Sequence, residues 1–508
     1  MSNKKCLYLI GVGGTGSRVL KAFTLLLASG CKLKNFQTVI PIIIDPDYNN
    51  GDYVKTRRLL NLYQKIRSKI DDPNDFFRQE IESLQSLEHS DFDRFNESDF
   101  SFPLEEVDTQ TFEQYIDFNS LSDDFEESSD DKSFVKLFFS RQNLKSSLKV
   151  GFKGNPNMGT VVLNQISDSK EFRKIGESFN DGDSVFIINS IFGGTGAAGL
   201  PVLLKNIRNN DEVPNHSKLK ESKVGAITYL PYFSIAKKVS EKEINSETFQ
   251  EKAKVALSYY NRTIIGDDPE LDSIYFIGNN AKKSFYDYSV GGRDQENKAN
   301  FLEMVGAMGI IDFCENASKK KREKNKQVEI KEFGLRGDYA QSIQFSHLSS
   351  KDQNEIQLPL SKFKIFSDYL VSQDGLGKSL DVCRWTKDNI KAIPYRNRKY
   401  KDSNLTKKYF ESKEYMDIKY FLESFRGWLD EMYKNEPSFY PFVGELNRKN
   451  ALSILGKTNS GYTSIDRTNN SLIAKKKNRT HKNDKIHTTL FRVFEESFNK
   501  HIPKELRR

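Results

Sequence analysis

The sequence predicts an α/β fold built on a parallel sheet, and three observations carry that prediction. Short, almost wholly apolar runs recur along the N-terminal half, they end in glycine-rich or Asp/Pro turns, and helical periodicity follows the turns. Runs of this kind are strands buried on both faces, which implies parallel pairing with helices covering each face. The first unit is Cys6-Leu-Tyr-Leu-Ile10, the turn Gly11-Val-Gly-Gly-Thr-Gly16, and a helix carrying Val19, Leu20, Phe23, Leu26 and Leu27 on one face.

Val39 to Ile44 is the second strand and ends at Asp45-Pro-Asp47. The stretch from about 50 to 150 is acidic, aromatic-rich and helical in pattern, and it reads as an insertion. The α/β rhythm resumes at Gly151-Phe-Lys-Gly-Asn-Pro-Asn-Met-Gly159. Strand 185–190 then empties into Gly193-Gly-Thr-Gly196, and Ala-Ala-Gly-Leu-Pro201 opens a helix. Two more strands follow, Val224–Leu230 ending at Pro231-Tyr-Phe233 and Ile274–Ile277 ending at Gly278-Asn-Asn280. Between them a helix is predicted around Phe249 to Tyr260, and beyond them a long central helix from Asn297 to Cys314. The expected organisation is an α/β domain over 1–315, a charged connector at 316–328 and an α+β C-terminal domain over 329–508, with a flexible segment at 457–485.

Composition excludes several classes. Hydrophobic residues make up 37% and charged residues 29%, and no apolar run approaches the roughly 20 residues of a membrane helix. Met1-Ser-Asn-Lys-Lys5 followed by a strand-like run does not read as a signal peptide. The four cysteines form no Cys-x-x-Cys pair, which argues against a zinc ribbon and suits a reducing cytoplasm. The six histidines show no metal-ligand spacing. The net charge of +8 is uneven: about 71–131 is acidic and a candidate protein-partner surface, whereas Lys319-Lys-Lys-Arg322 and Lys475-Lys-Lys477 are basic. The basic runs read first as solvated loops, with a nucleic-acid patch as the alternative.

A glycine-rich turn between strand and helix aims several backbone N–H groups at one point, where the helix dipole also favours an anion. Three such turns occur in order, at 11–16, 151–159 and 193–199, without a Walker lysine. In these three turns and their order, the region 6–315 outside the insertion resembles the tubulin/FtsZ superfamily. The resemblance implies that Gly11, Gly13, Gly14, Thr15 and Gly16 lie under the α- and β-phosphates of GTP or GDP. It implies that Asp45 and Asp47 stand near the γ-phosphate and Mg2+, and that Gly154, Asn155 and Gly159 form the third loop. Phe192, Gly193, Gly194, Thr195 and Gly196 match the signature loop, Pro231 the ribose loop, and Asn279 and Asn300 the guanine contacts. The family assembles head to tail into filaments, and hydrolysis is completed by acids that one subunit supplies to the next. Here Phe301 follows the helix asparagine where FtsZ has an aspartate, and Glu296 stands where it has a stacking aromatic. The family's catalytic motif has no match after Cys314, which leaves Asp312, Glu315 and Asp338 as candidates. Three alternatives stay open: a non-hydrolysing nucleotide-binding scaffold, a Rossmann dinucleotide turn at Gly11, Gly13 and Gly16, and a ThiF-like adenylating enzyme.

Overall fold

A computed structural model describes residues 4–71, 73, 75–87, 99–121, 130–235, 249–280, 285–287, 289, 291–317, 327–334, 342–371, 407–443, 453–454 and 485–501. Its centre is a seven-stranded sheet of β1 (Cys6–Val12), β2 (Thr38–Ile44), β3 (Glu80–Ile81), β4 (Ser184–Ser190), β5 (Lys223–Tyr229), β7 (Ser273–Gly278) and β9 (Glu329–Gly334). The spatial order is β3-β2-β1-β4-β5-β7-β9, and every pairing is parallel. The two-residue strands β6 (Ser234–Ile235) and β8 (Phe285–Tyr286) pair with each other outside this sheet. Chain order reverses between β1 and β4, so their C-terminal ends open a crevice of the kind in which doubly wound folds bind ligands.

Alternation explains the two cores. Leu7 and Leu9 of β1 face one layer, while Tyr8, Ile10 and Val12 face the other. The first layer holds α1 (Gly13–Ser29), α2 (Gly51–Ser68) and the central α11 (Phe301–Ala317). The second holds α6 (Pro156–Leu163), α7 (Lys170–Ser178), α8 (Thr195–Asn209), the short α9 (His216–Lys220) and part of α10 (Phe249–Thr263).

Several expectations shift. Residues 51–68, read as the start of an insertion, form the helix that returns the chain from β2, and β3 extends the sheet beside β2. The remainder of that stretch holds short helices, α3 (Phe112–Tyr115), α4 (Asp130–Phe138) and α5 (Arg141–Leu144). The central helix starts at Phe301, four residues later than expected, because Asn300 acts as its cap. Beyond the connector the sheet continues: β9 pairs with β7. Then α12 (Ser350–Val371), α14 (Lys413–Lys434) and α15 (Thr488–His501), with the short α13 (Lys407–Phe410) before α14, bury Phe363, Phe366, Phe421, Trp428, Phe491 and Phe494 in the α1–α2 core. The C-terminal part is thus a helical layer on the same core, and β10 (Phe442–Val443) and β11 (Ser453–Ile454) are its only ladder pair among the described residues. The segment expected to be flexible, 457–485, lies outside the described residues except for Lys485.

Candidate functional site

Four chain segments meet in one cavity at the C-terminal edge of the sheet. Its lining includes Gly13, Gly14 and Thr15 after β1, Asp45 and Asp47 after β2, Val150 to Gly154 before α6, and Phe192 to Gly196 after β4. The geometry of the glycines explains the convergence. Gly13 has φ +72°, a region that L side chains rarely adopt, and this turns β1 directly into α1. A Cβ on Gly16 would lie 2.6 Å from the Gly11 carbonyl carbon and 3.1 Å from the Ile188 oxygen, so this glycine lets α1 settle against the sheet. Gly11 and Gly16 are therefore packing residues and do not line the cavity.

The third and fourth loops interlock. A Cβ on Gly194 would meet the Phe152 Cβ at 2.9 Å and the Gly154 and Asn155 nitrogens at 3.2 and 3.3 Å. The fourth loop is held from below by Asn189, which donates to the Gly196 carbonyl at 3.2 Å and is itself fixed by Thr228 and Tyr260. Asn155 caps α6 by accepting from the Asn157 and Met158 N–H groups, and Gly159 gives α6 its close approach to Ala198. Neither lines the cavity.

Under the first loop lies a buried ionic network that the sequence reading missed. Arg18 lines the cavity and donates to Glu303 at 2.5 Å, to Asp52 at 2.7 Å, to the Tyr232 hydroxyl at 2.8 Å and to Thr15 at 3.3 Å. Burial works against its charge, but Tyr232, Glu303 and Asp52 outweigh it and hold the guanidinium pKa well above its ordinary value. The network ties α1, α2 and the first turn of α11 together beneath the pocket. One signal was present in the sequence: Arg18 falls four residues after Gly14, one helical turn on the same face.

The two aspartates divide their work. Asp47 accepts from the Asn49 N–H at 3.2 Å and from Gly292 N–H at 2.6 Å, stapling the 291–292 turn to the cavity rim. Asp45 accepts from the Asp47 N–H at 3.1 Å. Burial, opposed by that hydrogen bond and reinforced by Asp47 and Asp52, pushes the Asp45 carboxyl up to about 7. Among the described residues no group of three His, Cys, Asp or Glu side chains could hold a metal alone.

Part of the cavity lining is aromatic. Phe192, Phe233, Phe249 and Tyr286 form it, with Phe192–Phe233, Phe192–Phe249 and Phe233–Tyr286 centroids 5.4, 5.3 and 4.6 Å apart. Gln295 and Asn297 also line the cavity, next to the N-terminus of α2, where the Gln295 carbonyl accepts from Gly51 N–H at 3.1 Å and Asn297 N–H donates to Asp52 at 3.3 Å. Asn300 does not: its side chain accepts from Leu302 N–H at 3.0 Å and donates to the Glu436 carbonyl at 3.3 Å. Pro231 and Asn279 also stay outside the lining.

The candidate acids lie elsewhere. Asp312 lines a separate, largely apolar cavity of about 550 Å3 between α11 and strands β7 and β9. It is bound by Lys331, by Lys351 at 2.7 Å and by the Tyr275 hydroxyl at 2.8 Å. Burial alone would raise its pKa, but these partners bring it below the ordinary 3.8. Glu315 pairs with Lys34 and with Lys351 at 2.9 Å, and is likewise held low despite its burial. Lys34 and Asn35, which contact this end of α11, immediately precede the first residues of β2, so both acids sit at the edge of the sheet opposite the cavity. Asp338 lies outside the described residues. No protein-family model matches the chain, and comparison with curated proteins returns no match.

Proposed function

We propose that this chain is a nucleotide-binding protein of tubulin/FtsZ type that takes GTP or GDP with Mg2+ and associates head to tail. The observation that carries the reading is the convergence of four separate loops, three of them glycine-bearing, on one cavity at the switch point of a parallel sheet. The backbone N–H groups around Gly13–Thr15 and Gly193–Gly196 supply the phosphate cradle, at the N-termini of α1 and α8. The aromatic lining offers faces on which a base stacks, and Asn297, which lines the cavity where Asn300 does not, is the asparagine available to the ligand. Mg2+ fits beside Asp45, because it is usually held by one or two carboxylates together with phosphate oxygens. Bound there, it would neutralise phosphate charge and keep the Asp45 carboxyl ionised.

A second reading, binding without turnover, is favoured by the state of the candidate acids. Asp312 and Glu315 lie at the edge a head-to-tail neighbour would present, yet both are held by lysines, a poor arrangement for orienting attacking water. Phosphate release from GTP and Mg2+, followed over a range of protein concentrations, separates the two. A steep dependence on concentration supports hydrolysis completed between subunits, and flat background release supports the scaffold. Equilibrium binding of GTP tests what they share: no uptake at millimolar GTP and Mg2+ would rule out both.

A further inference from the structure

Polar side chains that line a cavity are either held by the protein or left open to a ligand, and the carboxylates of this cavity divide along that line. Asp45 accepts from the Asp47 N–H. Asp47 accepts from the Asn49 N–H at one oxygen and from the Gly292 N–H at the other. Asp287, the remaining carboxylate of the lining, has no hydrogen-bond or ion-pair partner among the described residues.

The fold determines where that carboxylate acts. Asp287 directly follows β8, which pairs with β6 in the register Ser234↔Phe285 and Ile235↔Tyr286. Tyr286 turns inward: it is buried, its ring lies 4.6 Å from Phe233 and its hydroxyl donates to the Lys298 carbonyl at 3.0 Å. Alternation along the strand places Phe285 on the opposite side, and Asp287, one residue beyond Tyr286, is exposed as Phe285 is. Asp287 therefore meets the cavity from its solvent side. Phe192 adjoins Gly193 and lies 5.4 Å from Phe233, so the rings of Phe192, Phe233 and Tyr286 lead stepwise from the glycine loop towards Asp287.

Chemistry narrows what such a group takes. A carboxylate accepts hydrogen bonds and cannot donate them, and beside a polyphosphate it adds repulsion unless the ligand brings donors to it. In a nucleotide the sugar lies between phosphates and base, and its vicinal hydroxyls offer two adjacent O–H donors to the two carboxylate oxygens. In doubly wound folds an acidic side chain holds the ribose of a dinucleotide in a comparable way. Resting on the nucleotide reading above, we propose that Asp287 accepts from the ribose 2′- and 3′-hydroxyls and so makes the cavity selective for ribonucleotides over deoxyribonucleotides.

Calorimetry on the full chain with Mg2+ tests this by comparing GTP, 2′-deoxy-GTP and ITP, which lacks the guanine 2-amino group. The wild type should bind GTP about tenfold tighter than 2′-deoxy-GTP, as expected for one hydrogen bond to a charged acceptor. Asp287→Ala should weaken GTP by about tenfold or more and leave GTP and 2′-deoxy-GTP within about twofold of each other. The ratio of GTP to ITP affinity should be the same in both proteins. Tm without nucleotide should not move, because the side chain is exposed and unpartnered. Equal affinity of the wild type for GTP and 2′-deoxy-GTP overturns the proposal, as does selectivity that survives in Asp287→Ala. A change confined to the GTP/ITP ratio overturns it by assigning the carboxylate to the edge of the base. A lower Tm with all three nucleotides weakened alike overturns it by making Asp287 structural. Failure of the wild type to bind GTP overturns the nucleotide reading itself.

Discussion

Replacing Asp45 by asparagine should make the nucleotide-free protein more stable, and by an amount that grows with pH. Asp45 is 5% exposed and its carboxyl is pushed from 3.8 up to about 7. Between those values the folded protein holds a proton that the unfolded chain has released. The unfolded state therefore binds fewer protons, and stability falls as pH rises from about 4 to about 7. The full shift corresponds to at most about 4 kcal/mol. The Asp45→Asn side chain keeps an oxygen to accept the Asp47 N–H and carries no charge, so the variant escapes this loss. Thermal melts of both proteins from pH 4 to pH 8 in chelator would show curves that coincide near pH 4 and diverge until about pH 7. Saturating GTP with Mg2+ should reverse the order, since the cation stabilises only the ionised carboxylate. Parallel profiles in chelator, or equal stabilisation of both proteins by GTP and Mg2+, would refute the assignment of Asp45 as a buried acid awaiting a cation.

Gly194→Val is expected to lower nucleotide affinity by at least about a hundredfold, because its Cβ would lie 2.9 Å from the Phe152 Cβ and part the interlocked loops; calorimetry measures the loss and circular dichroism checks that the fold survives. Arg18→Met leaves Asp52 and Glu303 buried without their cation, and should cost about 3–5 kcal/mol in urea denaturation. Adding Asp52→Asn and Glu303→Gln should recover a substantial part of that, and no recovery would contradict the network. Asn300→Ala should cost about 1 kcal/mol through the lost cap with affinity unchanged, while Asn297→Ala should weaken nucleotide binding with stability unchanged.

Local chemistry explains which parts of this protein were readable from its sequence. The strands of the sheet centre are apolar on both faces, and each ends in residues that cannot continue a strand, so β1, β2, β4, β5 and β7 stood out within a residue or two. The cavity followed from them, since Gly13–Thr15, Asp45 and Phe192–Gly196 are tied to strand ends. An asparagine before an apolar run can be a ligand or a cap, and the sequence did not show that Asn300 sits in the capping position of a helix that starts at Phe301. Strand β3, two residues long, carries no periodicity at all. The lysines around Asp312 and Glu315 come from Lys34, Lys331 and Lys351, which are distant in sequence and meet only in the fold. Arg18 belongs to the same category, since its partners Asp52 and Glu303 lie on two other helices.

The most direct test of the central claim is an experimental structure of the full chain with a non-hydrolysable GTP analogue and Mg2+. The triphosphate is expected against the N–H groups of Gly13–Thr15 and Gly193–Gly196, the cation beside Asp45, and the base among Phe192, Phe233 and Tyr286. An analogue bound anywhere else, or a cavity without it at saturating concentration, would show that this cavity is not a nucleotide site.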